Sequence, residues 1–206
     1  MIARRLALAT LLLLALAAAP ALASDAGLTG TEGHPRARFP LAVNLAPVDD
    51  APLAAAIRRA VTDWNALFGE TLGVHAFAWT ESQADARVVI TLEAARAGAR
   101  LMGEARVAVK DGVITLPVRV TLYAGAQRGT TPRETLVYQV AAHELGHALG
   151  LEHVTDPRSI MCCVHGSVDF NDPVQRQAYV DARQNPDLRS VRAQLEAHYQ
   201  RFWREP

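Results

Sequence analysis

Apolar residues recur at helical spacing between residues 53 and 68, where Leu53, Ile57, Ala60, Val61, Trp64 and Phe68 fall on one stripe. The preceding Pro47-Val48-Asp49-Asp50-Ala51-Pro52 is a turn able to cap that helix, and Gly69 is expected to end it. Alternating or short apolar runs predict strands over 39–45, 74–79 and 86–92, the last more buried than the others. Two further runs, 101–109 and 113–123, flank the tight-turn dipeptide Asp111-Gly112 and predict a hairpin. Pro117 in the second arm predicts an edge contact or a bulge. Thr131-Pro132-Arg133-Glu134 then has the N-cap, first-turn proline and capping-box glutamate of a helix start. Leu136, Val137, Val140 and Ala141 give this central helix a side to bury. Beyond it, 172–183 reads as a helix stopped by Asn185-Pro186, and Leu188, Val191, Leu195, Tyr199 and Phe202 mark a last helix. Residues 24–38, rich in Gly, Thr, Pro and charge, read as a loose N-terminal arm.

The central helix also carries chemistry. It runs into His143-Glu144-Leu145-Gly146-His147-Ala148-Leu149-Gly150-Leu151-Glu152-His153, an H-E-x-x-H-x-x-G-x-x-H pattern. Histidines one turn apart share a helix face, so His143 and His147 can meet one metal ion. The helix must then stop, and Gly150 can stop it by entering the left-handed conformation. The chain can turn there and bring up His153 as a third ligand. Three imidazoles leave a fourth position for water, as in a catalytic zinc site; a structural zinc takes a fourth protein ligand. Glu144 is placed to act as base toward that water.

Ser159-Ile160-Met161 follows closely and resembles the Met-turn of the metzincin metallopeptidases. The stretch 143–161 is similar to metzincins of the matrixin-like kind, and the resemblance extends over about 39–165, with Trp64-Asn65 as a further weak likeness. It implies an α+β, metzincin-like zincin fold. A mixed, twisted five-stranded sheet would carry an active-site helix, above a smaller helical C-terminal subdomain. An upper subdomain to about residue 150 and a lower one over 151–206 would form one metallopeptidase domain over 39–206. The resemblance implies one catalytic Zn²⁺ on His143, His147 and His153, with Gly150 and Met161 as structural support. It further implies peptide-bond hydrolysis by a zinc-bound water that Glu144 activates. An extended polypeptide substrate would pair with an edge strand, here Gly103-Glu104-Ala105-Arg106-Val107. Calcium dependence is left open.

Length and charge refine this picture. Arg4 and Arg5, the apolar run Leu6 to Ala19, and Ala21-Leu22-Ala23 have the form of a signal peptide over 1–23, with a mature start at Ser24. The run is short for a membrane span, so no stable anchor is expected and the chain reads as secreted or periplasmic. Roughly 183 residues remain, enough for one domain. Without Arg4 and Arg5 the chain has a net charge of about −2, which offers nothing to nucleic acid. Oligomeric state is left open.

Cys162 and Cys163 are the only cysteines. They stand where the matrixin-like pattern has an aromatic residue and a proline, and three readings remain: an inert reduced pair, a vicinal disulfide, or a thiolate that reaches the zinc. As a redox pair they would alter the pocket. The sequence holds no earlier cysteine for a prodomain switch, and no tyrosine just after Met161. His34, His75, His165 and His198 lack ligand spacing and read as satisfied or surface residues, with Glu152 at the surface. Trp64, Trp79 and Trp203 read as packing. The reading is therefore a zinc-dependent endopeptidase. Its alternative is a catalytically weak metzincin-like module that binds peptides or proteins.

Overall fold

The computed structural model describes residues 28–95, 102–125 and 131–204. The proposed signal peptide, residues 24–27 of the arm and Leu101 lie outside them. Seven strands and four α-helices are seen among the described residues. In chain order they are β1 (Leu41–Leu45), α1 (Ala51–Leu72), β2 (Phe77–Trp79), β3 (Val88–Ala94), β4 (Gly103–Arg106), β5 (Val109–Lys110), β6 (Val113–Ile114), β7 (Val118–Ala124), α2 (Arg133–Ala148), α3 (Pro173–Gln184) and α4 (Arg192–Phe202).

The sheet is mixed and five-stranded, in the order β2-β1-β3-β7-β4, with β4 antiparallel on β7 and the other pairs parallel. Strand β3, buried along its first half at Val88, Val89 and Ile90, sits in the middle of it. Helices α1 and α2 pack against each other, α1 also touching β2, and α2 touching β7 and β4. The core between them includes Leu41, Ile57, Trp64, Phe68, Ile90, Val120, Leu122 and Leu145, each 1% exposed or less. The indole N–H of Trp64 donates to the Ala142 carbonyl at 2.9 Å, which pins α1 to α2 one residue before His143. This is the expected α+β fold with its active-site helix.

Four local expectations change. Helix α1 runs through Gly69 and ends at Gly73, whose φ of 69° and N–H bond to the Gly69 carbonyl make the cap. A mid-helix glycine costs only about 1 kcal/mol, too little to stop a helix whose flank is buried. The central helix starts at Arg133 after Pro132, with no side-chain cap, so the capping box from Thr131 does not form. The long hairpin is divided. Asp111 and Gly112, both at positive φ, close the short β5–β6 ribbon, while β4 pairs with β7 across the sheet. Pro117 stands at the break between β6 and β7, just before a strand that is interior to the sheet.

The arm is not loose from Thr29 onward. Glu32 accepts from the Thr29 N–H and hydroxyl, at 2.9 and 2.8 Å. Gly33 bridges to Val113, and His34 is fully buried with its Nε2–H on the Ala148 carbonyl at 2.9 Å. On the other side, Trp203 donates to the His34 carbonyl, and Arg201 and His198 bond the Gly30 carbonyl. The arm is thus clamped between α4 and the end of α2. It reads as polar because its partners are polar, and those of Gly30 and His34 stand more than 100 residues away along the chain.

Candidate active site

Helix α2 ends where the site begins. Gly150 takes a φ of 92°, its N–H bonds the His147 carbonyl, and the Leu151 N–H bonds the Gly146 carbonyl. These two bonds are a Schellman stop, which satisfies the last helical carbonyls and turns the chain back. A side chain at Gly150 would meet the Glu32 carbonyl, and His198 Nε2 at 3.1 Å, so both φ and space call for glycine. Val154 then pairs with Cys162, and its N–H bonds the Met161 carbonyl, closing the loop between the third histidine and the methionine.

His143, His147 and His153 come together. Their Nε2 atoms stand 3.0, 3.1 and 3.2 Å apart. His143 Nδ1 lies 2.8 Å from the Ile160 carbonyl and His147 Nδ1 lies 2.8 Å from the Leu151 carbonyl. A carbonyl only accepts, so each Nδ1 carries the proton and each Nε2 presents a lone pair. The 3.1 Å contact between these two Nε2 atoms is therefore no hydrogen bond, since neither has a proton to give. Converging lone pairs repel unless a cation stands among them. Tetrahedral zinc with bonds of about 2.0–2.1 Å would hold its nitrogens at about this separation. The donor set fits the ion. Carbonyl partners on the far ring nitrogens are what orient metal-binding imidazoles. Burial, with the His153 ring beside it, pushes His147 down to about 4, so at neutral pH the ring is uncharged, the form a metal ion requires.

Glu144 is 3% exposed and lies in the same cleft as His143, facing the start of β4. A Cβ on Gly103 would lie 2.8 Å from Glu144 Oε1 and 2.5 Å from Val140. Gly103 thus lets the strand pass close over the carboxylate. Glu104, buried, accepts from Arg106 at 2.9 Å and from the Tyr123 hydroxyl at 3.2 Å. Ala105 is buried, and Val107 falls just beyond the end of β4. Among the described residues β4 is the sheet's last strand and pairs only with β7.

Met161, fully buried, packs against Gly146, the residue before His147. A side chain at Gly146 would run into the Met161 sulfur and lie 3.3 Å from the Trp64 ring. Gly146 was not singled out from the sequence, although a glycine inside a strong helix pattern is a signal for close packing. The turn itself is tied down from both sides: the Met161 N–H bonds Ser159 Oγ at 3.1 Å, and the Ile160 N–H bonds Ser190 Oγ at 3.0 Å.

Cys162 and Cys163 are joined as a vicinal disulfide in the cleft wall. The wall also takes in Tyr179 and Arg183 from α3, for which the sequence held no sign. His34 and His198 are buried and bonded to carbonyls, and Glu152 is exposed. Trp79 is 42% exposed, with the Arg58 guanidinium over its ring. Among the described residues no helix is long and apolar enough to cross a membrane.

Comparison with known proteins agrees with this geometry. The matrixin family model matches residues 46–175. A 37-residue stretch is 54% identical to the macrophage metalloelastase of Oryctolagus cuniculus. That match covers 18% of this chain and 8% of the relative's length.

Proposed function

The chain belongs to the matrixin family, and from that premise we propose that it is a zinc-dependent endopeptidase in which His143, His147 and His153 hold the metal and Glu144 handles the proton. The observation that carries the reading is the convergence of three imidazole Nε2 atoms, two of them stripped of protons by backbone carbonyls, beside a buried carboxylate. Bound zinc would polarise the scissile carbonyl as a Lewis acid and make water acidic enough to react near neutral pH. Glu144 accepts the proton of the attacking water and returns it to the departing amine, so no protein nucleophile is needed. Ile160 and Leu151 hold the His143 and His147 rings in one tautomer throughout. The outer edge of β4, from Gly103 to Arg106 and on to Val107, supports an extended polypeptide laid antiparallel or parallel along it. Gly150 and Met161 act as supports, one by turning the chain and the other by packing against Gly146 beside His147.

Export follows from the N-terminal pattern. Leu6 to Ala19 and the small residues ending at Ala23 support cleavage there and a secreted or periplasmic enzyme. N-terminal sequencing of exported protein should find Ser24 or a near neighbour first.

The deciding experiment is digestion of an unstructured protein by the zinc-loaded mature chain and by its Glu144→Ala variant, with mass-spectrometric mapping of the cuts. The variant should keep its zinc and lose about 10²- to 10⁴-fold in rate, the scale of a general acid–base. Equal rates in both would remove Glu144 from the mechanism. Tight peptide binding without turnover in either would support a binding module instead.

A further inference from the structure

One side of the active-site cleft is built by residues that the catalytic reading leaves unused. A cavity of about 400 Å³ has His143 and Glu144 on one wall and Cys162, Cys163, Tyr179 and Arg183 on another. Arg183 reaches it from α3. Its Nη2–H donates to the Cys162 carbonyl at 3.2 Å, and its guanidinium carbon lies 4.3 Å over the centre of the Tyr179 ring. That ring is braced edge-on by Phe170 at 5.2 Å. The guanidinium is therefore held in place by a carbonyl and an aromatic face, neither of which neutralises it.

Its charge has no acidic partner: Arg183 lines the cavity and is in none of the salt bridges found among the described residues. A carboxylate is the group whose charge and shape complete a guanidinium fork.

We propose that Arg183 is a specificity-determining residue. It makes the cavity beside Glu144 a subsite for a substrate carboxylate, on an acidic side chain next to the scissile bond or at a free C-terminus. The proposal rests on the peptidase reading above. The Cys162–Cys163 turn positions Arg183 through the Cys162 carbonyl, so the cysteine pair shapes the subsite without touching the reacting bond.

The test uses zinc-loaded mature chain and peptides built on a mapped cleavage site. One pair differs only by Glu or Gln at the residue following the cut. A second pair of short peptides ends there in a free acid or an amide. Wild type should prefer Glu over Gln, or acid over amide, by at least about 10-fold in kcat/KM, chiefly through KM. The preferring pair identifies the source of the carboxylate. The ratio should fall to near one in Arg183→Gln, and Arg183→Glu should favour a Lys peptide. Each ratio is taken within one preparation, so a partly folded variant does not blur it. Equal kcat/KM for both pairs in wild type, or an unchanged ratio in Arg183→Gln, overturns the subsite. If no peptide is cut, the peptidase reading fails by itself. Fluorescence anisotropy with the zinc-loaded Glu144→Ala chain then decides the subsite. Tighter binding of the Glu or free-acid peptide, lost on adding Arg183→Gln, supports it. Equal affinities overturn it.

Discussion

The segment from His143 to Met161 and the segment from Cys162 to Gln184 line the same cleft but are held in different ways. In the first, the ring of each helical histidine is fixed by a carbonyl, the helix is stopped by two backbone bonds, and Met161 is fully buried. In the second, α3 has no buried residue, Phe170 and Val174 are 52% and 74% exposed, and Arg183 meets the turn through one bond to the Cys162 carbonyl. The proposed metal site lies where the backbone fixes both helical histidines. The proposed subsite lies where a few contacts hold, and substitution there should change which peptide fits without disturbing the metal.

The sharpest break of that contrast is His147→Ala. It removes one of three ligands and the ring bonded to Leu151. Zinc should fall from one ion per chain to a small fraction by elemental analysis at low free metal, and peptide hydrolysis should drop at least about 100-fold, since zinc sites of this kind need three protein ligands. Full zinc in that variant would mean that the ligand set is wrong.

Acid should weaken the first segment through His34, whose Nε2–H holds the Ala148 carbonyl at the end of α2. Burial pushes His34 down to about 4, against only partial recovery from that hydrogen bond. The unfolded chain takes this proton near pH 6.5, the ordinary histidine value, while the folded chain resists until about pH 4. Stability from this group is therefore whole above pH 6.5 and is lost as pH falls toward 4. The loss should reach about 2 kcal/mol by pH 4.5. Urea unfolding of wild type and His34→Gln at pH 7.5 and 4.5 should show a smaller acid loss in the variant. Equal losses would place the acid sensitivity elsewhere.

Gly146→Ala and Gly69→Ala should differ in sign, although both sit inside helices. The first methyl runs into Met161 and Trp64, an overpacking cost of about 1–3 kcal/mol that exceeds the helix-propensity gain. The second meets nothing within 4 Å and should stabilise α1 by about 0.5–1 kcal/mol. Denaturant midpoints decide both, and a neutral Gly146→Ala would show that Met161 moves aside freely.

The smallest expected effect is in the second segment. Cys162→Ser/Cys163→Ser, or a mild non-chelating reductant on wild type, should leave zinc content unchanged and alter kcat/KM by a few-fold, with a shift in cleavage preference. Identical rates and cut sites in all preparations would make the pair inert packing.

Much of the site was legible because its geometry is local. Histidine spacing on a helix, the glycine stop and the return to Met161 all lie within about one motif's length, and backbone sterics alone nearly dictate them. The edge position of 103–106 was implied by the family resemblance, and the Asp111-Gly112 turn signalled a hairpin there, though not its division into two pairs. Other features were not local. Gly69 and Gly73 look equally able to end α1, and the choice falls to Leu72, which packs against the core and whose carbonyl takes a bond from Arg36. The polar arm becomes part of the core only because the end of α2 presents a carbonyl to His34 and α4 presents donors to the carbonyls of Gly30 and His34. The cysteine pair allowed three states by sequence, and its closure as a disulfide belongs to the folded turn. The sequence by itself determined the candidate metal site, because one helical turn and one glycine suffice to converge three rings. Only the tertiary structure decided what the cleft wall is made of, because Arg183 meets Cys162 by the docking of α3, and no spacing along the chain encodes that contact.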